Sequence, residues 1–182
     1  NMGLLLALIV CFMVSSNTIT ACSVSLEGEN IGSVQVLPVS EWSVLKAKLY
    51  LHVLFTAIPA VLLGLAMSIM VGLGWWECLI VLLTAVLSSV MFSVIGLAVN
   101  LKLPNLHWTN EMAAVKQGAS TVVAMFGGWG IALLPLGGFF LFGKYMLPWL
   151  YALVCFALFV AITLLTLFWI YKKGTGIFRF LN

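Results

Sequence analysis

Five apolar runs, each long enough to cross a lipid bilayer, decide what this chain can fold into. They are nearly free of ionisable side chains and cover about residues 2–20, 49–71, 78–99, 118–142 and 148–171. A membrane-spanning helix needs about 20 consecutive apolar residues. Because the runs are continuously apolar instead of alternating with a period of two, they argue against a β-barrel. The sequence therefore predicts an all-α, polytopic transmembrane bundle of about five spans.

The scarcity of charge supports a lipid environment. Charged residues make up 7% of the chain, whereas an average soluble domain has about 25%. The basic residues are spread along the chain without a patch interleaved with aromatic residues, so we expect no nucleic-acid partner. The cysteines have no metal-ligand spacing and are interpreted as small apolar filler.

Residues 23–48 form the longest polar interruption. This segment holds three of the five acidic residues, Glu27, Glu29 and Glu41, and two of the eight basic ones, Lys46 and Lys48. It is too polar to cross the bilayer. We interpret it as an elbow that lies on one membrane face and contacts another protein. The alternative is a plain interfacial helix lying among the lipid headgroups.

The elbow has its own helical pattern. Ile31, Val34 and Leu37 recur every third residue, which predicts one apolar face of a short helix. Pro38 is expected to stop that helix. Ser40 stands where the N-cap of the next helix is expected, and that helix leads into the second span.

Residues 100–117 form a second polar insert. Pro104 is expected to end one helix, and Thr109 or Asn110 to cap the next, which starts near Glu111. His107 and Glu111 stand four residues apart, but one His and one Glu make at most half of a metal site. A solvated loop is the favoured interpretation.

The fourth run is interrupted by residues 127–130, Pro135 and residues 137–138, which are rich in glycine. Non-helical backbone within a membrane occurs where protein covers it or where it lines a water-filled cavity. The run is therefore either a bent or re-entrant element at the mouth of a pathway or a glycine-rich packing surface. The sequence leaves these two alternatives open.

Basic residues orient the bundle. Five spans put the elbow, the second insert and the C-terminal tail on one side, and seven of the eight basic residues fall there: Lys46, Lys48, Lys102, Lys116, Lys172, Lys173 and Arg179. The positive-inside rule places that side in the cytoplasm. The N-terminus is then outside, which leads us to expect at least one earlier span in a longer polypeptide.

The sequence offers little catalytic chemistry. Residues 138–145 imitate a phosphate-binding loop, but Tyr145 replaces the required Ser or Thr and the interior is entirely apolar. The spans carry no carboxylate pair of the kind that ion-coupled carriers place within the bilayer. We therefore expect neither an enzyme nor a cofactor in this chain.

Specific residues in both inserts carry a family resemblance. In the elbow they are Ser25-Leu26-Glu27-Gly28, Asn30, Leu37-Pro38-Val39-Ser40 and Ala47-Lys48. In the second insert they are Pro104, Trp108, Asn110-Glu111 and Val115-Lys116-Gln117. In this order and at these places between spans, they resemble the two cytoplasmic loops of type 2 ABC exporter permeases of Gram-positive bacteria. The resemblance is residue-specific over residues 23–117 and rests on hydropathy elsewhere. That family often has a lysine near residues 34–36 and an aspartate at the position of His107.

The resemblance implies a membrane subunit with six spans per half, of which this chain supplies the second to the sixth. It would form half of an export pathway in the bacterial plasma membrane, together with a second permease half or subunit. ATP and Mg²⁺ would bind a separate ABC subunit that docks on the elbow as a coupling helix. The coupling residues would be Glu27, Gly28, Glu29, Asn30, Ile31, Val34, Leu37, Pro38 and Ser40. The second insert would contribute Pro104, Trp108, Asn110, Glu111, Lys116 and Gln117.

Two other functions stay open. One is a fragment of a secondary, ion-coupled carrier, which the lack of carboxylates in the spans disfavours. The other is a non-transport membrane protein, such as a sensor or an assembly factor. An associated ATPase would separate the exporter from both.

Overall fold

The fold is a bundle of helices, as the sequence predicts. The computed structural model of the chain describes residues 2–36, 38–108, 110, 112, 115, 118–143 and 145–181, with only the backbone of Glu29. Within these residues there is no β-strand. Five helical segments are long and apolar enough to cross a membrane: Met2–Gly28, Glu41–Val71, Trp75–Lys102, Ala119–Phe142 and Pro148–Arg179. The chain is thus an all-α bundle with the composition of a multi-pass membrane protein.

The first span is broken, which the sequence did not predict. Helix α1 (Met2–Ser15) ends at a run of polar residues, and the chain resumes as the short helix α2 (Ile19–Cys22). The Asn17 side chain accepts a hydrogen bond from the Ile19 backbone N–H at 3.2 Å. Such local side-chain bonds compete with the helical backbone ladder, so the polar run favours a break here.

The elbow folds as two short helical pieces. A 3₁₀ segment (Ser25–Asn30) turns at Gly28, whose φ of 52° lies in the left-handed region that glycine adopts readily. Helix α3 (Ile31–Gln35) follows and ends before Pro38, as predicted. Leu37, the third residue of the predicted apolar face, lies outside the described residues.

Helix α4 (Glu41–Val71) begins where the sequence predicted. The Ser40 hydroxyl accepts a hydrogen bond from the Ser43 backbone N–H at 3.3 Å, which confirms the N-cap. At 31 residues the helix is longer than a bilayer requires, so its first turns belong to the elbow. Gly72, with a φ of 71°, ends it in a left-handed cap.

Helix α5 (Trp75–Lys102) lies at the centre of the bundle and packs against every other spanning segment. The turn between α4 and α5 is short, because Trp75 and Trp76 already form the first turn of α5, with ring centroids 3.9 Å apart. Ala85, Ser89 and Ser93, which recur every fourth residue, form a seam of small residues that is fully buried. Both serine hydroxyls donate to carbonyls of their own helix, so their hydrogen-bond donors are satisfied and neighbouring helices can pack closely against this face.

Helix α6 (Ala119–Phe142) runs without interruption through all its glycines and Pro135, so it is not a re-entrant element. The alternative of a packing surface holds for two of the glycines. A Cβ on Gly128 would lie 3.0 Å from the Ser15 carbonyl oxygen, and one on Gly138 would lie 2.7 Å from the Tyr151 hydroxyl. Close helix contact, not a pathway mouth, accounts for these two positions.

The last spanning helix, α7 (Pro148–Trp169), continues into a π-helical turn (Ile170–Gly174) and the short helix α8 (Thr175–Arg179). It starts at the predicted residue and extends beyond the predicted end at residue 171. The buried residue Phe178 packs with Ile31 and Leu106 in one apolar cluster. The elbow, the second insert and the tail therefore meet at the same end of the bundle.

Candidate partner-docking surface

A buried asparagine ties the elbow to the central helix. The Asn100 Oδ1 atom accepts hydrogen bonds from the backbone N–H groups of Val24 (2.7 Å) and Ser25 (3.2 Å). Its Nδ2 atom donates to the hydroxyls of Ser25 (2.7 Å) and Ser120 (3.0 Å). One fully buried side chain thus holds the start of the elbow, helix α5 and helix α6 together.

The second insert closes over the elbow from the other side. The Trp108 indole N–H donates to the Ser25 carbonyl at 2.7 Å, and the Asn105 backbone N–H donates to the Ser25 hydroxyl at 3.0 Å. The Trp108 ring lies so close to Gly28 that a Cβ there would be 2.9 Å from the ring. The two inserts that carry the family resemblance are therefore in direct contact.

An ion pair joins the elbow to helix α4. The Lys48 ammonium lies 2.5 Å from the Glu27 carboxylate and donates to the Ser23 carbonyl at 2.7 Å. The side chains of Lys48 and Glu27 are 13% and 27% exposed, so the pair is shielded from solvent. A shielded, hydrogen-bonded pair is harder to separate than an exposed one.

The C-terminal tail completes this end of the molecule. The Gln35 side chain donates to the backbone carbonyls of Phe178 (2.8 Å) and Leu181 (3.0 Å). Arg179 lies 3.8 Å from the Glu41 carboxylate, although this pair is largely exposed. Residues 23–36, 103–108 and 175–181 together make one surface, called here the platform.

The platform has a cleft at its centre. The cleft has a volume of about 290 Å³ and lies between α3, the second insert and the end of the tail. Its lining includes Gly32, Gln35 and His107. Beside it, Ser33 is exposed and the Val36 side chain is 82% exposed. Ser33 and Val36 are therefore accessible at the surface of the platform.

The structure brings several predicted coupling residues together but turns some of them inward. Glu27 and Gly28 face Lys48 and Trp108, while Ile31 is 4% exposed and Val34 is half-buried. The Ile31 side of α3 therefore packs on the bundle and is not free for a partner. Its burial follows from the adjacent apolar cluster around Leu106.

The remaining predicted residues fall into two groups. Asn30, Pro38, Ser40 and Asn110 are exposed, and Pro104 is half-buried. The Asn110 side chain accepts from the Met112 backbone N–H at 3.0 Å, which agrees with its predicted capping role. Outside the described residues lie Leu37, Glu111, Lys116, Gln117 and the Glu29 side chain.

Sequence reasoning missed the residue that holds the platform together. Asn100 was counted only as the first residue of the second insert. The available signal was its position, since an uncharged polar side chain at the end of an apolar helix needs partners inside the bundle. Its particular partners, 75 and 76 residues away, could not be read from the local pattern.

A polar seam leads from the platform into the bundle. Lys48, His52 and Thr56 lie four residues apart on one face of α4, and each contacts the segment between Asn17 and Ser23. Lys48 bonds the Ser23 carbonyl (2.7 Å), the His52 Nδ1 accepts from the Thr20 N–H (3.2 Å), and Thr56 accepts from the Asn17 side chain (2.6 Å). Hydrogen bonds on three successive turns of α4 thus connect this helix to the elbow, to α2 and to the break in the first span.

The described residues contain no group of three His, Cys, Asp or Glu side chains that could hold a metal ion. Comparisons with protein families, curated proteins and solved structures found no match to this chain. The fold and the surface define a class: a multi-pass, all-α membrane bundle with an interlocked polar platform at one end.

Proposed function

We propose that this chain is the membrane subunit of an ATP-driven ABC exporter, forming half of the export pathway. An ATP-binding subunit docks on the platform, and a second permease half or subunit completes the pathway. ATP and Mg²⁺ bind the partner, so this chain carries out no catalysis. The observation that supports the proposal is the platform, in which both inserts with the family resemblance form one surface.

Charge supports a cytoplasmic position for the platform. Lys46, Lys48, Lys102, Lys172, Lys173 and Arg179 belong to this end of the bundle. The positive-inside rule assigns the more basic end to the cytoplasm, where ATP is available. We therefore place the protein in a bacterial plasma membrane with the platform inside.

The contacts of the elbow suit a mechanical role. A displacement of the elbow acts on α4 through the Lys48–Glu27 pair and on α5 through Asn100. Because α4 is a continuous helix of 31 residues, movement at its capped end reaches the far end of the bundle. ATP-driven closure of the partner would move α4 relative to the broken first span.

Co-purification tests the proposal. The full chain, tagged and extracted in mild detergent, is expected to retain an ABC-type ATP-binding subunit co-expressed with it. Val36→Asp places a charge on the exposed rim of the platform and should abolish retention. Val71→Asp alters another exposed valine at the far end of α4 and should leave it intact.

Retention of the ATP-binding subunit that is equal in both variants would contradict docking on the platform. Failure of any ABC-type ATP-binding subunit to bind the unaltered chain would contradict the exporter itself.

One observation favours the alternative of an ion-coupled carrier. His52 is fully buried within a spanning helix, and its Nε2 atom has no hydrogen-bond partner in the described part of the chain. Ionisable residues within a bilayer commonly mark ion pathways. A carrier would transport in vesicles in response to a pH gradient without ATP, and His52→Gln would abolish that transport.

A further inference from the structure

The break in the first span faces the proline of α4 across a groove. This groove has a volume of about 190 Å³ and is lined by residues of α1, the break and α4, among them Met13, Asn17, Phe55, Thr56 and Pro59. Both of its walls thus depart from regular helical hydrogen bonding. Interrupted helices at membrane depth are tolerated where they line a cavity, and in transporters they often form the substrate site.

The wall of the groove contains one backbone carbonyl that lacks its usual partner. Pro59 has no backbone N–H, so the carbonyl of Phe55, four residues earlier, cannot form its usual helical hydrogen bond. Phe55 and Pro59 both line the groove. A carbonyl freed in this way beside a mainly apolar groove favours a ligand that donates a hydrogen bond.

One hydrogen-bond donor is also available. Thr56 accepts from the Asn17 side chain at 2.6 Å, but its own hydroxyl donates to no acceptor among the described hydrogen bonds. The hydroxyls of Thr84, Thr163 and Thr166 each donate to the carbonyl four residues earlier. Thr56 therefore differs from these threonines, although it is only 5% exposed and lines the groove.

The remaining lining selects an uncharged, elongated ligand. All nine described lining residues are uncharged, and most are apolar. Closed pockets for drug-sized molecules have volumes of about 300–1,000 Å³, so this groove holds one end of a molecule. The outer lining, including Met13, Phe55 and Leu63, is exposed and offers an apolar path for the rest.

We propose that this groove binds the hydroxyl-bearing end of a single-chain, uncharged amphiphile, whose apolar chain extends towards the bilayer. The hydroxyl donates to the Phe55 carbonyl and accepts from the Thr56 hydroxyl. Calling this ligand the exported cargo rests on the proposed function, whereas the binding itself does not. Thr56 is the innermost residue of the polar seam, which continues through His52 and Lys48 to the elbow. A ligand in the groove is therefore connected to the elbow through this seam.

Photolabelling of the full chain in nanodiscs tests the site. The probe is a straight-chain alcohol carrying a diazirine, and the matched probe is the same chain without the hydroxyl. Labelling at Met13 and Leu63 is compared with labelling at Leu164, an exposed residue of the last span. The alcohol should label the groove saturably and about threefold to tenfold more strongly than the hydrocarbon, as expected for one or two hydrogen bonds in a membrane.

Two pairs of variants separate recognition from folding. Thr56→Val should reduce alcohol labelling of the groove to the level of the hydrocarbon, while Thr163→Val should not change it. Leu63→Trp should fill the groove and abolish labelling at Met13, while Leu62→Trp, on an exposed neighbour outside the groove, should not.

Equal labelling by both probes, or alcohol labelling that survives both Thr56→Val and Leu63→Trp, would overturn the proposal. No ATP-binding subunit is present in this assay. A negative result in this assay would therefore not contradict docking on the platform, and a negative docking result would not contradict this site.

Discussion

Asn100 is the residue on which the platform most depends. Replacing it with leucine would leave the buried N–H groups of Val24 and Ser25 without an acceptor, and each such loss costs about 1–3 kcal/mol. We expect Asn100→Leu to lower the free energy of unfolding by about 2–5 kcal/mol, measured by denaturant unfolding in detergent. Asn105→Ala is the control, because Asn105 joins the described network through its backbone N–H. Equal stability of the two variants would contradict this role.

The ion pair of the elbow gives a second prediction at this scale. Glu27→Lys brings a second positive charge to Lys48 and should lower the thermal midpoint of unfolding by several degrees. The double variant Glu27→Lys/Lys48→Glu restores opposite charges and should recover most of the loss. Thermal unfolding in detergent measures both effects. A double variant no more stable than the single one would show that the pair does not hold the elbow.

Single residues also show what the sequence could reveal. The Ser40 cap was predictable, because capping depends on the residue itself and on the three that follow it. The burial of Ile31 was not predictable, because a three-residue period identifies an apolar face but not whether that face packs on the bundle or on a partner. The Asn100 network was not predictable either, since its partners are distant in sequence.

At the scale of elements, two adjacent glycines in α6 provide a matched pair. A Cβ at Gly128 would press on the Ser15 carbonyl, whereas one at Gly127 would meet nothing within 4 Å. We expect Gly127→Ala to be neutral or to stabilise by up to about 1 kcal/mol through helix propensity. Gly128→Ala should destabilise by about 1–3 kcal/mol through overpacking. Denaturant unfolding measures both, and the reverse order would contradict the packing role of Gly128.

The existence of the spanning helices was predictable from hydropathy, but their ends and interruptions were not. Hydropathy alone would start helix α4 eight residues too late, whereas the Ser40 cap predicts its actual start at Glu41. Glycines and Pro135 in α6 suggested a break, but the helix is continuous. The actual break, at Asn17, arises from local polar bonds within a run that otherwise seemed regular.

At the scale of the whole molecule, the bundle must have a definite orientation. In a variant lacking its native cysteines, Tyr145→Cys should react with a membrane-impermeant maleimide on intact cells, because this residue lies at the end opposite the platform. Val36→Cys should react only after permeabilisation, because the proposed orientation puts the platform in the cytoplasm. The reverse pattern would place the platform outside the cell and contradict the proposed docking.

The most direct test of the central claim identifies what touches the platform. A photo-crosslinking amino acid replaces Val36 in the full chain, and Tyr145, with a similar exposure of 86%, serves as the control position. After irradiation of intact cells, mass spectrometry identifies the crosslinked protein. We predict an ABC-type ATP-binding subunit joined to position 36 and absent from position 145. Crosslinks from position 36 to lipid alone, or to the same proteins as position 145, would contradict it.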